Sequence, residues 1–122
     1  MRSGDYEIHY SAFNSTFLSP EVASAYKQPR EPRTGIVNVA IRNTKNSQIG
    51  KAVTATINGQ AKNLLSQITT LTFQEVKEGD AIYYLANFRF NNEDTLNFNL
   101  DIRPEQRPPV QQVKFQQQLF EG

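Results

Sequence analysis

The sequence contains no cysteine and no tryptophan, and it has only one histidine and one methionine among its 122 residues. Without cysteine there can be no disulfide framework, thiolate metal site or cysteine nucleophile, and the redox compartment is left open. Copper and related metals draw on several imidazole or thioether ligands. Since His9 and Met1 are the only such residues, the composition gives little support for a transition-metal site.

Charge of one sign is also lacking, because 13 basic side chains face 12 acidic ones and the formal net charge is +1. A balanced surface does not attract phosphate backbones or anionic lipids over a distance. No apolar run approaches the roughly 20 residues that a membrane-spanning helix needs. The sequence therefore predicts no nucleic-acid partner and no membrane insertion.

What the chain does contain is a two-residue alternation of apolar and polar residues, rich in Val, Ile, Thr, Phe and Tyr, which is typical of half-buried strands. We expect one domain over residues 1–122, mainly β, with one short helix running from a Ser19 cap to about Tyr26. The predicted strands cover residues 5–12, 35–43, 51–59, 68–76, 81–90, 95–103 and 110–120.

Seven short strands joined by turns favour an antiparallel β-sandwich, with a small closed barrel as the alternative. The strand at 81–90 is apolar on both faces, which predicts a central position in a sheet. Its Asp80-x-Ile82-x-Tyr84-x-Ala86 pattern resembles the tyrosine corner of immunoglobulin-like domains. An immunoglobulin-like sandwich is therefore expected, with the Tyr84 hydroxyl bonded to backbone.

Two further interpretations concern the middle of the chain. Asn58-Gly59 has the composition of a tight turn and is expected to be a turn or bulge that enters a longer loop. In that loop, Leu64 and Leu65 are expected to fold back onto the core. The glutamine-rich last strand, polar yet competent to form β-structure, is expected to be a sheet edge.

His9 is the one side chain suited to acid–base or ligand chemistry near neutral pH. On a strand, Asp5, Glu7 and His9 share one face with roughly 7 Å between successive side chains, too far to hold one small ion together. A solvated polar face is the favoured interpretation, and no metal site is expected.

The turn "AFNSTF" supplies the remaining candidates for ligand or partner binding, which together are His9, Phe13, Asn14, Thr16 and Phe17. Two readings stay open. In the structural one, both phenylalanine rings fold inward and hold the helix over one end of the sandwich. In the functional one, the turn, the helix and His9 line a cleft at a sheet edge.

Three stretches carry a resemblance to a known family: "GDYEIHYSAFNSTFLSPEVASAY", "EGDAIYYLANF" and "KFQQQLF". They resemble the uncharacterised bacterial domain of unknown function family 4426, over nearly the whole chain. The resemblance implies small exported proteins of gammaproteobacteria with a cleaved leader, and hence a periplasmic location. Residues 1–3 would then be a remnant of cloning or of the leader, while a cytoplasmic location stays open. The family implies no activity.

Together with the location that the resemblance implies, these observations favour a non-catalytic, immunoglobulin-like periplasmic domain. It is expected to bind a protein partner, or a second copy of itself, through sheet edges, loops or the helix face. Catalysis is not expected, because the sequence has no Gly-x-Ser-x-Gly elbow and no glycine-rich phosphate loop, and no cofactor is implied. The alternative is a carrier of a small molecule or metal that uses a cleft near His9.

Overall fold

The protein is described by a computed structural model that covers residues 1–45 and 50–121. These residues form ten strands, one α-helix and one 3₁₀ turn, joined by loops. The elements are β1 (Arg2–Ser3), β2 (Tyr6–Asn14), the 3₁₀ turn (Ser15–Phe17), α1 (Pro20–Ala25), β3 (Thr34–Asn43), β4 (Lys51–Ala52), β5 (Ala55–Lys62), β6 (Ile68–Leu71), β7 (Gln74–Glu78), β8 (Ala81–Arg89), β9 (Thr95–Pro104) and β10 (Gln111–Gln118).

The strands form two antiparallel sheets, which confirms the predicted β-sandwich. Sheet A has the order β1-β2-β3-β8-β7, and β4 pairs with the C-terminal end of β3. Sheet B has the order β10-β9-β5-β6. The core lies between the sheets. In β9 the predicted inward residues Leu96, Phe98, Leu100 and Ile102 are all buried, because alternation places every second side chain on the inner face.

Strand β8 lies between β3 and β7, as its two apolar faces predicted. Its inner face joins the main core, whereas Leu85 on its outer face belongs to a second cluster with Ile36 and Val76. Leu18 and Tyr26, which lie on either side of helix α1, pack against this cluster. The helix begins where predicted, since the Ser19 hydroxyl accepts the Val22 N–H at 3.2 Å.

Two predicted strands are each divided in the structure. The segment 51–59 contains β4 in sheet A and the start of β5 in sheet B, and the segment 68–76 contains β6 in sheet B and β7 in sheet A. The chain crosses from one sheet to the other within each segment. At the first crossing the alternation continues, because Val53, Ala55 and Ile57 all pack on the main core. At the second, Leu71 and Phe73 pack on that core, but Val76 belongs to the second cluster on the outer face of sheet A.

Two expectations for the middle of the chain are wrong. Asn58 and Gly59 lie inside β5, paired with Asp101 and Leu100 of β9, and form no turn. Leu64 and Leu65 do not fold onto the core, since they lie in the β5–β6 turn with 73% and 81% of their surface exposed. Gly59 leaves room for the Leu100 side chain, because a Cβ there would lie 2.5 Å from Leu100 Cδ2 and Leu100 would have to shift.

Tyr84 joins the two sheets through its hydroxyl, and the predicted bond to backbone is confirmed. The hydroxyl accepts the Ala55 N–H of sheet B at 2.9 Å and donates to Glu75 Oε1 at 2.9 Å. Burial raises the pKa of Tyr84 to about 12, and the neighbouring Glu75 carboxylate acts in the same direction. The Ala55 N–H opposes these effects, because it stabilises the phenolate.

The first residues of the chain are part of sheet A. Arg2 and Ser3 pair with Glu7 and Tyr6 of β2, and the Met1 carbonyl accepts the Ile8 N–H at 2.7 Å. No helix within residues 1–45 and 50–121 is both long and apolar enough to cross a bilayer.

Candidate functional site

His9 lies on the outer face of β2, where it is exposed to solvent. Its Nε2 contacts Glu7 Oε1 at 2.5 Å, so the two side chains lean together across their strand spacing. His9 is absent from the linings of four clefts on the surface of the described residues, which lie between the sheets at one end or over the faces of sheet B and β6–β8. Within the described ranges, no three His, Cys, Asp or Glu side chains come close enough to hold a metal ion.

Asn14 has a structural task that uses its whole side chain. Its Nδ2 donates to the carbonyls of Pro32 and Phe120, both at 2.8 Å. Its Oδ1 accepts the N–H and the hydroxyl of Thr16, both at 2.9 Å. The buried Asn14 side chain therefore links Pro32 and the C-terminal segment to the end of β2. Both polar atoms of this side chain are bonded within the protein.

The two phenylalanines that flank this turn have different surroundings. Phe13 is partly buried against the Ile36–Val76–Leu85 cluster, as the structural reading predicted. Phe17, the last residue of the 3₁₀ turn, has 78% of its surface exposed, and Leu18 packs on that cluster instead. The inward prediction is thus correct for Phe13 and wrong for Phe17. His9 and Phe13 share the outer face of β2 but are about 13 Å apart along the strand.

Strand β10 is a long free edge, which confirms the expectation for the last strand. All eight of its residues pair with β9, and no other strand in the described part of the chain pairs with it. Its inner face is anchored by aromatic packing, since the Phe115 ring lies 4.8 Å from both Phe98 and Tyr10. Phe115 therefore packs β10 against both sheets of the sandwich.

The hydrogen-bond pattern shows which groups of β10 face outward. The Leu119 N–H donates to the Asp94 carbonyl, so position 119 faces β9. In an antiparallel pair, alternate residues direct both backbone groups to the partner strand. The odd positions of β10 consequently bond to β9, and the backbone groups of Gln112, Lys114 and Gln116 point away from the sheet. Gln118 is already engaged, because its carbonyl accepts the Gln117 amide at 3.0 Å.

A second feature is the end of the sandwich where β2 stops and β3 starts, together with the β5–β6 turn, the β8–β9 turn and residues 119–121. We call this the apical end. The Asn14 bond to Phe120 and the Leu119 bond to Asp94 hold these segments together. The five most exposed large apolar residues of the described chain lie here, namely Leu65 (81%), Phe17 (78%), Leu64 (73%), Ile68 (57%) and Phe120 (56%).

Sequence reasoning missed four of these five residues, because only Phe17 was among the candidates. One signal for the leucines is present in "KNLLSQ", where Asn63 precedes and Ser66 follows the pair. Asn and Ser favour turns, and a turn tip is exposed. The apical end also holds a cleft of about 200 Å³, lined by Arg33 and Phe90 next to strands of sheet A and by Asn63, Gln67 and Asp94 next to strands of sheet B.

The whole chain, residues 1–122, matches the family model described as "Domain of unknown function (DUF4426)". The chain is a member of this family. A crystal structure of a DUF4426 family protein from Pseudomonas aeruginosa PAO1 is 35% identical, with a TM-score of 0.84, and the alignment covers 100% of this chain and 94% of that one.

A more distant structure shares the fold of this DUF4426 member. FetP from uropathogenic Escherichia coli strain F11, recombinantly expressed in the periplasm, is 12% identical with a TM-score of 0.71, over 99% of this chain and 92% of that one. At this identity the likeness concerns the fold alone. No curated protein matches the chain.

Proposed function

We propose that this DUF4426 member is a non-catalytic periplasmic domain that binds a protein partner by adding a strand to the free edge of β10. The observation that carries the proposal is the row of outward backbone groups at Gln112, Lys114 and Gln116, next to an edge with no proline or bulge inside it. An extended segment placed there would satisfy these groups in the way that β-augmentation does. The partner is a second copy or an extended segment of another protein.

The side chains of β10 suit a reversible contact. Gln112, Lys114 and Gln116 lie on the exposed outer face of sheet B, where they can bond to polar side chains of an added strand. Lys114 opposite a second Lys114 would be repulsive, and lysine on an edge is a common protection against uncontrolled pairing. We therefore expect a self-pair to be offset in register, and a foreign strand to carry an acidic residue opposite Lys114.

The test separates backbone pairing from side-chain contact at one position. Gln116→Pro removes the outward N–H without removing a bond to β9, whereas Gln116→Ala keeps that N–H and shortens the side chain in the same way. Light scattering at several concentrations measures self-association, and affinity capture from a periplasmic extract followed by cross-linking measures a foreign partner. We expect Gln116→Pro to abolish binding and Gln116→Ala to retain it.

Equal behaviour of the two variants would count against strand addition, provided that both melt near the temperature of the unaltered protein. A strict monomer that captures nothing through β10 would also contradict the proposal. The periplasmic location is supported by the implied export of the family and is checked by release of the native gene product on osmotic shock. The proposal favours strand addition over the carrier alternative, because the exposed His9 side chain is paired with Glu7.

A further inference from the structure

Gln28 is a polar residue that the fold buries just after helix α1. The Lys27 N–H donates to the Ser24 carbonyl at 3.2 Å and the Gln28 N–H to the Ala23 carbonyl at 2.9 Å, which is the bonding pattern of a Schellman motif. The residue at the Gln28 position of this motif is commonly apolar and packs on the helix. Here it is an amide with 8% of its surface exposed. A buried amide where an apolar side chain would serve indicates a task beyond ending the helix.

Three amide side chains form a hydrogen-bonded chain with Gln28 in the middle. Gln28 Nε2 donates to Gln74 Oε1 at 2.9 Å, and Asn87 Nδ2 donates to Gln28 Oε1 at 3.3 Å. Because each amide has one oxygen and one nitrogen, these two bonds fix the direction of all three groups. Gln74 Nε2 and Asn87 Oδ1, at the two ends of the chain, have no side-chain or backbone partner among the described residues. One end can therefore donate to a ligand and the other can accept from it.

The amide chain lines a cleft of about 390 Å³, a volume in the range of sites that hold one small molecule. The cleft lies where β6 and β7 end their sheets, whereas β10 is the opposite end of sheet B. Buried Leu85 and partly buried Phe73 give it an apolar portion, and the hydroxyls of Thr70 and Thr72 add two further polar groups. A few polar groups around an apolar portion are typical of a small-molecule site.

Lys27 gives the cleft a positive charge. Among the described residues that line it, Lys27 alone is charged, and no acidic side chain of the described chain lies within ion-pair distance of it. Its φ is +55°, a conformation that glycine adopts without strain and that is usual for glycine at this position of a Schellman motif. Lysine is strained there, but it places an ammonium group beside the amide chain. A ligand of this cleft is therefore expected to carry a negative charge.

We propose that the cleft beside Gln28 binds a small hydroxylated carboxylate, of the chemical type of a sugar acid. The Lys27 ammonium pairs with the carboxylate, while the free ends of Gln74 and Asn87 bond to hydroxyl groups, which both donate and accept. A neutral sugar lacks the partner for the ammonium, and an aliphatic carboxylate lacks the partners for the amides. Since the cleft is remote from β10, this binding does not depend on strand addition.

The test is isothermal titration calorimetry with three probes that share a six-membered ring: glucuronate, glucose and cyclohexanecarboxylate. Glucose lacks the carboxylate of glucuronate, and cyclohexanecarboxylate lacks its hydroxyl groups. We expect glucuronate to bind at least about tenfold more tightly than either of the others, because each of them loses one set of hydrogen bonds. Each comparison thus isolates one half of the proposed recognition.

Two variants remove the recognition groups while keeping the fold. Lys27→Gly should weaken glucuronate binding about tenfold, to the level of glucose. Its melting temperature should stay near that of the unaltered protein, because glycine adopts the positive φ without strain. Gln28→Met keeps the length of the buried side chain without its amide, and it should abolish the binding of both sugars. Lys62→Gln removes the same charge from an exposed position of β5 and is the control, which should change no affinity.

A nuclear magnetic resonance titration locates the binding. The side-chain amide signals of Gln74 and Asn87 should shift on addition of glucuronate, whereas those of Gln112 and Gln116 on β10 should not. No saturable binding of glucuronate up to about 10 mM, or equal affinity for glucuronate and either other probe, would overturn the proposal. So would glucuronate binding that Lys27→Gly leaves unchanged or that Lys62→Gln lowers equally. The amide chain would then serve only to hold the end of helix α1.

Discussion

The side chain of Asn14 has hydrogen-bond partners within the protein for both its amide nitrogen and its amide oxygen. The sequence placed it among the candidates because Asn, Ser and Thr between two phenylalanines are typical of an exposed polar loop. The structure buries it, with Thr16 as the partner of its Oδ1 and the carbonyls of Pro32 and Phe120, on other segments, as the partners of its Nδ2. Those partners, Pro32 and Phe120, are distant in sequence, so no local pattern could have indicated them.

The variant Asn14→Asp distinguishes the contribution of the amide donor from that of the amide acceptor. The carboxylate keeps the acceptor for Thr16 but places an oxygen against the carbonyls of Pro32 and Phe120. We expect a loss of about 2–4 kcal/mol in the free energy of unfolding, because a buried charge would face two acceptors. Denaturant unfolding measures the loss.

Asn97→Asp is the control for the charge introduced by Asn14→Asp. Asn97 is exposed on β9, and its Oδ1 accepts the Gln116 amide, a role that a carboxylate can fill. This variant should alter the free energy of unfolding by no more than about 0.5 kcal/mol. Equal effects of the two variants would show that the Asn14 donors contribute little.

Tyr84 makes stability depend on pH in a defined direction. The folded protein keeps the hydroxyl proton until about pH 12, whereas an unfolded chain releases it near the ordinary pKa of 10. The stabilisation is therefore complete below pH 10 and is lost as pH rises through this interval, by about 2 kcal/mol at the upper limit. Denaturant unfolding across the interval measures the decline.

Tyr84→Phe should remove this contribution and also destabilise the protein at neutral pH by about 1–3 kcal/mol, since the buried Ala55 N–H loses its acceptor. The difference between the two proteins isolates Tyr84 from the other tyrosines. A constant difference across the whole interval would contradict the raised pKa.

At the scale of elements, sequence reasoning located every long strand and the helix, because alternation and capping are local signals. It could not divide the segments 51–59 and 68–76, where the chain changes sheets. A residue that faces the core from sheet A and one that faces it from sheet B give the same alternation. The divisions depend on which strand each half pairs with, and pairing is a property of the assembled sandwich.

Gly59 shows how a local turn signal was overruled by packing between elements. Asn-Gly usually begins a hairpin turn, yet here the missing side chain makes room for Leu100. We expect Gly59→Ala to lower the free energy of unfolding by about 1–3 kcal/mol, because Leu100 is fully buried and has little space to move. Asn58→Ala, at the exposed neighbouring position, should have a much smaller effect in the same denaturant experiment.

At the scale of the whole molecule, the candidate surfaces differ in how far the sequence indicated them. The β10 edge could be predicted, because polar composition in a terminal strand is a local property. The apical end could not be predicted, since Phe17, Leu64 and Phe120 reach the same end of the sandwich only when both sheets are stacked. Leu64 and Leu65 were expected in the core for the general reason that leucines are mostly buried, and a turn scaffold built by Asn63 reverses that expectation.

The bond between Asn14 and Phe120 joins residues 106 positions apart, and the Tyr10–Phe115 ring pair also links β2 to β10. Contacts of such long sequence separation slow folding, because a large loop must close before they form. Because the chain is synthesised from its N-terminus, β2 can complete its packing on the core only after β10 has been synthesised. We therefore expect the last strand to complete the fold, and intermediates that lack it to expose Phe98 and be vulnerable to proteases until that moment.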